Sequence, residues 1–266
     1  MLLTMLSAIY SPRHRYIIHI DRKSKDATLS DLPELLRQYP NITFLTRHKV
    51  AWGGLSQITI ELRTARMAMT DPGWDYFVFL SGTDFPVRPL ADLEEVLVSA
   101  DKRSFIDRRE IATLPPRLHT RLRKRNRFAY LELLGKSWRL PIPLKWFGKL
   151  PLYYGSQWHF LHRSFVEAAL DRVDRHGLPR IMRYCSIPDE VFWQNILNDV
   201  PGIEERIVPY NHRYIQFSGK HPKWLVGADI PAIESSGAFF ARKFDPQVSF
   251  EAVAHFAPLN PDRSLL

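Results

Sequence analysis

Apolar positions along the chain alternate between a period near 3.6 and short β-branched runs, a pattern that predicts helices and strands in turn. Met1-Leu-Leu-Thr-Met-Leu-Ser-Ala-Ile-Tyr10 reads as a helix over residues 1 to 9 that feeds a strand, Tyr16-Ile-Ile-His-Ile20. Residues 29 to 38 predict a helix with Ser30 as N-cap, and Ile42-Thr-Phe-Leu45 predicts the next strand. After Gly54, residues Leu55, Ile58, Leu62, Ala65 and Met69 recur at steps of three and four, on one face of a helix that ends at Asp71-Pro-Gly73. Asp75-Tyr-Phe-Val-Phe-Leu80 is nearly continuous in apolar residues, as expected of a strand covered on both faces. It runs into Ser81-Gly-Thr-Asp-Phe-Pro86, a turn of the kind that carries sites at the carboxyl ends of strands. A further helix is predicted over residues 90 to 99.

Residues 107 to 152 change character. Arg, Lys and aromatic residues interleave, and Pro115, Pro116, Pro141, Pro143 and Pro151 predict a long connection folded over the binding edge of the sheet. Beyond it come a strand at Gln157-Trp-His-Phe-Leu161, a helix near 164 to 175, a short helix opening at Pro188, and a loop-rich final third ending in Phe239-Phe-Ala-Arg-Lys-Phe244. No repeat, low-complexity tract or linker divides the chain, so one domain over residues 1–266 is expected. The fold class is α/β. One feature departs from it: a nucleotide-binding α/β unit normally opens with a strand, whereas this chain opens with a helix. The expectation is that a first strand is missing, in which case two neighbouring strand edges inside the sheet should lack partners.

Composition narrows the functional classes. With 266 residues, 45% of them apolar, the chain is neither disordered nor a coiled coil and can bury a sizeable core. The lone Cys185 permits no intrachain disulfide and reads as a small buried hydrophobe. The 37 Lys and Arg outweigh the 28 Asp and Glu, giving +9, which points to an anionic partner: nucleic acid, membrane surface or phosphorylated substrate. No stretch approaches a spanning helix, and residues 1–10 lack the basic region that opens a signal peptide, so neither is expected.

Five segments carry the candidate chemistry: Ile18-His-Ile-Asp21, Trp52-Gly-Gly-Leu-Ser56, Leu80-Ser-Gly-Thr-Asp-Phe-Pro86, Gly155-Ser-Gln-Trp158, and Pro188-Asp-Glu190 together with Phe240-Ala-Arg-Lys-Phe-Asp245. In this order, over about residues 10 to 250, they resemble the core-2/I-branching β-1,6-N-acetylglucosaminyltransferase and peptide O-xylosyltransferase family, glycosyltransferase family 14. The Trp-Gly-Gly-x-Ser, Gly-Ser-x-Trp and Phe-Phe-Ala-Arg-Lys-Phe segments resemble the xylosyltransferase branch. Pro-Asp-Glu and Ser-Gly-x-Asp-Phe-Pro resemble the acetylglucosaminyl branch.

The resemblance implies a variant GT-A fold that transfers xylose or N-acetylglucosamine from a UDP-sugar to a hydroxyl of a glycan or polypeptide, with inversion and with no metal or other cofactor. The residues agree: no two Asp lie two positions apart, so there is no Asp-x-Asp pair for a divalent cation, and other charges must meet the departing diphosphate. The resemblance gives that task to Arg242 and Lys243, the first able to bind phosphate oxygens bidentately and the second a point charge; read alone they are a solvated pair. Glu190 is the implied base that takes the acceptor proton, with Val191-Phe-Trp193 supplying an apolar side to its carboxyl group; read alone it is an acid favoured in a helix's first turn. Asp189 reads as the simple helix-start residue.

Asp21 corresponds to the acid that contacts uracil, and otherwise reads as a turn residue before Arg22. Asp84 corresponds to a contact with the ribose or donor sugar, or is a turn-forming Asp. Lys223 aligns with a second diphosphate-binding cation where the family often has Arg. Trp52 and Trp158 are candidates for the aromatic platform under a pyranose, and Asp107 corresponds to an acceptor-contacting acid of the acetylglucosaminyl branch. His19 beside Asp21 lacks the further ligands a metal site needs.

The rival signal is the basic segment 117-127, with Arg117, Arg121, Arg123, Lys124, Arg125 and Arg127, which would suit a nucleic-acid backbone. Nothing else in the chain reads as a nucleic-acid reader. An anionic acceptor or peripheral membrane contact accounts for the charge equally well, and no nucleic-acid partner is expected. An inactive glycan-binding relative is the other alternative. Animal and plant members carry an anchor that places them in the Golgi membrane; by its sequence this chain reads as a bacterial-type form, cytoplasmic or peripheral to a membrane.

Overall fold

A computed structural model describes residues 1–24, 28–219 and 221–260. The chain is a mixed α/β structure. Its helices are α1 (Leu2–Ile9), α2 (Thr28–Leu35), α3 (Leu55–Met69), α4 (Leu90–Ser99), α5 (Pro116–Arg125), α6 (Arg163–His176), α7 (Phe192–Asn195), α8 (Ile230–Ser235) and α9 (Phe250–Phe256). Its strands begin with β1 (Tyr16–Ile18), β2 (Ile42–Phe44), β3 (Tyr76–Val78), β4 (Asp84–Pro86), β5 (Ser104–Ile106), β6 (Arg109–Glu110), β7 (Phe128–Leu133) and β8 (Lys136–Pro143). They continue with β9 (Tyr153–Tyr154), β10 (His159–His162), β11 (Ile207–Val208), β12 (Arg213–Ile215), β13 (Phe217–Ser218), β14 (His221–Pro222) and β15 (Phe240–Arg242).

The central sheet has the order β11-β5-β10-β3, with β10 antiparallel to both neighbours and β11 parallel to β5. Because side chains alternate across a strand, consecutive residues of this sheet feed two different cores. Phe77, Ile106 and Leu161 join α3, α6 and α7 in one core, while Phe105 and Phe160 join α1, α4 and α9 in the other. A second sheet, β12-β15-β4, has a register that sets Arg242 opposite Asp84 on one side and Ile215 on the other.

β1 pairs in parallel with β2, and β3 pairs with β10; among the described residues no strand meets the second edge of either. The two edges line one cleft of about 1610 Å³. The reading of residues 75 to 80 as a strand covered on both faces agrees with this packing, with Phe77 in one core and Tyr76 and Val78, half-buried beside the cleft, packed against the other.

Two other expectations change. The second helix starts at Thr28 and contains Pro33, so Ser30 lies inside it and not at its cap. Residues 107–152 are not a plain connection but hold helix α5 and the hairpin β7–β8. Among the described residues no helix is long and apolar enough to cross a membrane.

Candidate active site

Glu190 closes a single 3-10 turn, Pro188–Glu190, at the place where a short helix opening at Pro188 was expected; α7 follows separately. The turn is entered through Ile187 at φ 53°, ψ 59°, a left-handed conformation that disfavours a β-branched residue and is found where surrounding contacts over-determine the chain. Those contacts come from the Trp52-Gly-Gly segment. Gly53, itself at φ 65°, accepts a hydrogen bond from the Ile187 N–H at 2.9 Å, and a Cβ at position 53 would lie 3.1 Å from the Ile187 side chain. The glycine pair thus lets the start of α3 close onto the Glu190 turn. Trp52, the residue before it, is 80% exposed.

The Glu190 carboxylate faces Arg125, whose Nη1 donates to Oε2 at 2.6 Å. Arg125 is the last residue of α5, and its guanidinium also lies 5.4 Å from the Tyr154 ring centre. Burial, followed by the nearby Glu190, raises the pKa of the Tyr154 hydroxyl. Val191, Phe192 and Trp193, which follow Glu190, are all buried in the core.

Asp189 is not a simple helix-start residue either. Its side chain is buried, Oδ2 accepts from Gln57 Nε2 at 3.3 Å, and Oδ1 has no hydrogen-bond partner. Burial, then the charges of Glu61 and Glu190, push its pKa up to about 8. Glu61, buried on α3, accepts from Trp193 Nε1 and lies 3.5 Å from His159 Nε2. Burial likewise pushes Glu61 up to about 8 and His159 down to about 3. Beneath the turn therefore sit two neutral acids and a neutral imidazole at pH 7.

The second centre lies around Asp84, which is fully buried. One carboxylate oxygen is 3.3 Å from Arg242 Nε and 3.5 Å from Arg213 Nη1; the other accepts from the Ser81 N–H and closes the turn after β3. Asp84 thus faces two guanidinium groups by charge, its Oδ1 making no hydrogen bond. Arg242 lies over Trp158, 4.2 Å from the ring centre, and Phe79 stacks on Trp158 at 5.4 Å. Trp158 is only 3% exposed, so it holds a cation in place of offering a sugar-stacking face. Burial lowers the pKa of both arginines, Arg213 to about 10, and Asp84 opposes the shift. Burial and then Arg242 lower that of Lys243. Two guanidiniums and an ammonium against one carboxylate leave this centre electropositive.

Lys223 is tied to it through the backbone, where the Lys243 N–H meets its carbonyl at 3.4 Å, but its ammonium pairs with Asp229 at 2.6 Å. Asp21 stands at the carboxyl end of β1, with Oδ1 accepting from the N–H groups of Lys23 at 2.8 Å and Val50 at 3.4 Å. His19 accepts from the His48 N–H at 3.0 Å, a loop-holding contact. Among the described residues no three His, Cys, Asp or Glu side chains converge to hold a metal ion.

The Gly155–Trp158 segment joins the two centres. At one end the Gly155 N–H donates to the Glu190 carbonyl at 3.0 Å; at the other Trp158 carries Arg242. Three residue steps set those ends at most about 11 Å apart. Asp107 braces the segment by accepting from the Ser156 N–H at 3.0 Å, and also pairs with Arg109. Sequence reasoning missed Arg213, Glu61 and the particular role of Arg125; for Arg125 the only signal was its place in the basic segment.

A family model described as Core-2/I-Branching enzyme matches residues 1–236. The chain is 28% identical to xylosyltransferase 2 of Canis lupus familiaris over 276 residues, covering 94% of this chain and 31% of the relative. It is 27% identical to xylosyltransferase 1 of Rattus norvegicus, covering 94% and 32%, and 27% identical to xylosyltransferase oxt of Drosophila melanogaster, covering 92% and 30%. The chain spans about a third of the length of these curated relatives.

Proposed function

The chain belongs to the core-2/I-branching enzyme family, and from that premise we propose that it is an inverting glycosyltransferase with a variant GT-A fold. It moves a sugar from a UDP-sugar to a hydroxyl of a glycan or polypeptide. The sugar is xylose or N-acetylglucosamine, and the names of the relatives above favour xylose. The observation that carries the reading is the span of the Gly155–Trp158 segment, with the backbone of Glu190 at one end and an electropositive centre at the other.

Glu190 accepts the proton of the acceptor hydroxyl while its oxygen bonds to the anomeric carbon from the face opposite the diphosphate. The bond from that carbon to the diphosphate oxygen breaks, and Arg242 and Lys243 meet the charge that departs. Fixed cations do this best where they need not reorganise during the reaction; Asp84 and Trp158 hold Arg242 for that purpose. The site uses these cations in place of a metal ion. Arg125 orients the Glu190 carboxylate and yields it as the acceptor arrives. Asp21, at the carboxyl end of β1, addresses the nucleotide base, and Trp52, exposed beside the Glu190 turn, addresses the sugars.

Steady-state kinetics with calorimetry test the assignment. Glu190→Gln is expected to lower kcat by about 100-fold or more with UDP affinity unchanged. Arg242→Ala combined with Lys243→Ala is expected to abolish UDP binding. Full turnover in the first variant, or undiminished UDP affinity in the second, would reject the assigned roles.

A further inference from the structure

We propose that the β7–β8 hairpin, with the basic stretch that frames it, is a peripheral docking surface for an anionic lipid membrane.

The net charge of the chain has one source. Residues 115–152 hold ten Lys or Arg and a single acid, Glu132. Taken from the chain's 37 basic and 28 acidic residues, they leave equal numbers of each, so the whole excess of +9 resides in this stretch. It is also unneutralised. Arg125 pairs with Glu190, whereas the other nine are exposed and have no carboxylate partner among the described residues. Elsewhere the exposed Arg13, Arg15, Arg37, Arg66 and Arg175 each hold a carboxylate. A concentrated charge of one sign attracts a surface of the other.

The same stretch exposes apolar side chains. The register pairs Leu131 with Trp138 and Leu133 with Lys136, and cross-strand partners share a face, so these four side chains stand together. Leu131, Leu133 and Trp138 are exposed, and Leu134 in the turn is 90% exposed. The alternate residue Glu132 turns the other way, onto the start of α3. Leu134 does nothing for the fold. It occupies a left-handed position, φ 52°, that suits Asn or Asp, and it buries almost none of its side chain. A departure from local preference that the fold does not repay points to function.

Cations frame this apolar face from tip to root. A Cβ at Gly135 would lie 4.0 Å from the Lys23 side chain, which sets a lysine beside the turn, and Lys136 shares the face itself. At the root, where α5 ends, Arg127 and Arg139 lie over the Phe128 ring at 5.1 Å and 5.3 Å from its centre. Aliphatic and tryptophan side chains that enter the boundary between headgroups and acyl chains, ringed by Lys and Arg that stay with the lipid phosphates, make an interfacial element. A soluble polyanion would satisfy the cations and leave the three leucines in water, since sugars and bases stack on rings. A second copy of the chain would bring two stretches of like charge together.

Cosedimentation with lipid vesicles tests the proposal. The chain is expected to bind vesicles of phosphatidylcholine and phosphatidylserine in about equal parts at least about 10-fold more tightly than vesicles of phosphatidylcholine alone, and to lose that preference as salt rises from about 0.1 M to about 0.5 M. Leu134→Asn is expected to weaken binding to the anionic vesicles by about 10-fold. Because asparagine suits the turn, the melting temperature of that variant is expected to hold or rise, which separates lost contact from lost fold. Lys136→Gln and Arg139→Gln are expected to weaken binding by about fivefold each on anionic vesicles and to leave binding to neutral ones unchanged. Failure to bind either vesicle, or equal binding to both, would overturn the proposal. So would wild-type vesicle affinity in Leu134→Asn with loss confined to the charge variants, the behaviour of a surface for a soluble polyanion, or a dimer that Leu134→Asn dissociates, the behaviour of a contact between copies.

Discussion

At Gly155 an added Cβ would stand 1.6 Å from the Asp107 carbonyl oxygen, and since that atom is backbone no side-chain movement relieves the clash. Gly155→Ala is therefore expected to displace the segment that touches Glu190, lowering stability by about 1–3 kcal/mol in urea denaturation together with turnover. An unchanged midpoint would mean that the close approach is not required. Asp84 is the complementary case, a buried anion that two guanidinium groups need. Asp84→Ala leaves both without their partner and is expected to cost about 3–5 kcal/mol, read by the same measurement; a loss below about 1 kcal/mol would mean that the arginines are held by something else. Arg213 carried no sequence signal, because His212-Arg-Tyr214 could lie on any strand, and only the β12–β15–β4 register brings it to Asp84. Glu61 was equally silent, one acid within a helix whose apolar spacing drew the reading.

Among the elements, α3 was legible almost to the residue because its apolar period is unbroken from Leu55 to Met69. Its amino end is held from a distance: Glu132 of the β7–β8 hairpin accepts from the Ser56 N–H at 2.8 Å, acting as a cap supplied by another element. Glu132→Ala is expected to lower stability by about 1 kcal/mol, and Glu132→Gln by less, since the acceptor is kept and only the favourable charge at the helix terminus is lost. Equal melting temperatures for the two variants would contradict that division. The hairpin escaped sequence reading for a physical reason. Its turn is made by Leu134 at φ 52° and Gly135 at φ 76°, and leucine is a poor signal for a position that usually holds Asn or Asp. Likewise Pro115 and Pro116 were read as breakers, whereas they start α5, where a missing N–H costs nothing.

At the scale of the molecule, buried titratable groups shape stability in opposite senses. Glu61 and Asp189, raised to about 8 by burial, hold protons in the folded state that the unfolded chain releases, so their stabilisation is complete in acid and is lost as pH rises towards 8. His159 and His212, lowered by burial to about 3 and about 4, stabilise above pH 6.5 and lose that contribution as pH falls. Together these four groups place maximal stability at about pH 4.5–6.5. Urea midpoints are expected to be higher at pH 5.5 than at 8.5, and the difference is expected to shrink in Asp189→Asn; a higher midpoint at 8.5 would refute the assignment. The buried acids could not be foreseen residue by residue, since they arise only where separate elements meet. The facing edges of β1 and β3 also bear on handling. Backbone ladders flanked by isoleucine, tyrosine and valine are templates for indiscriminate cross-β pairing, so concentrated solutions of the 266-residue chain should aggregate with rising protein concentration.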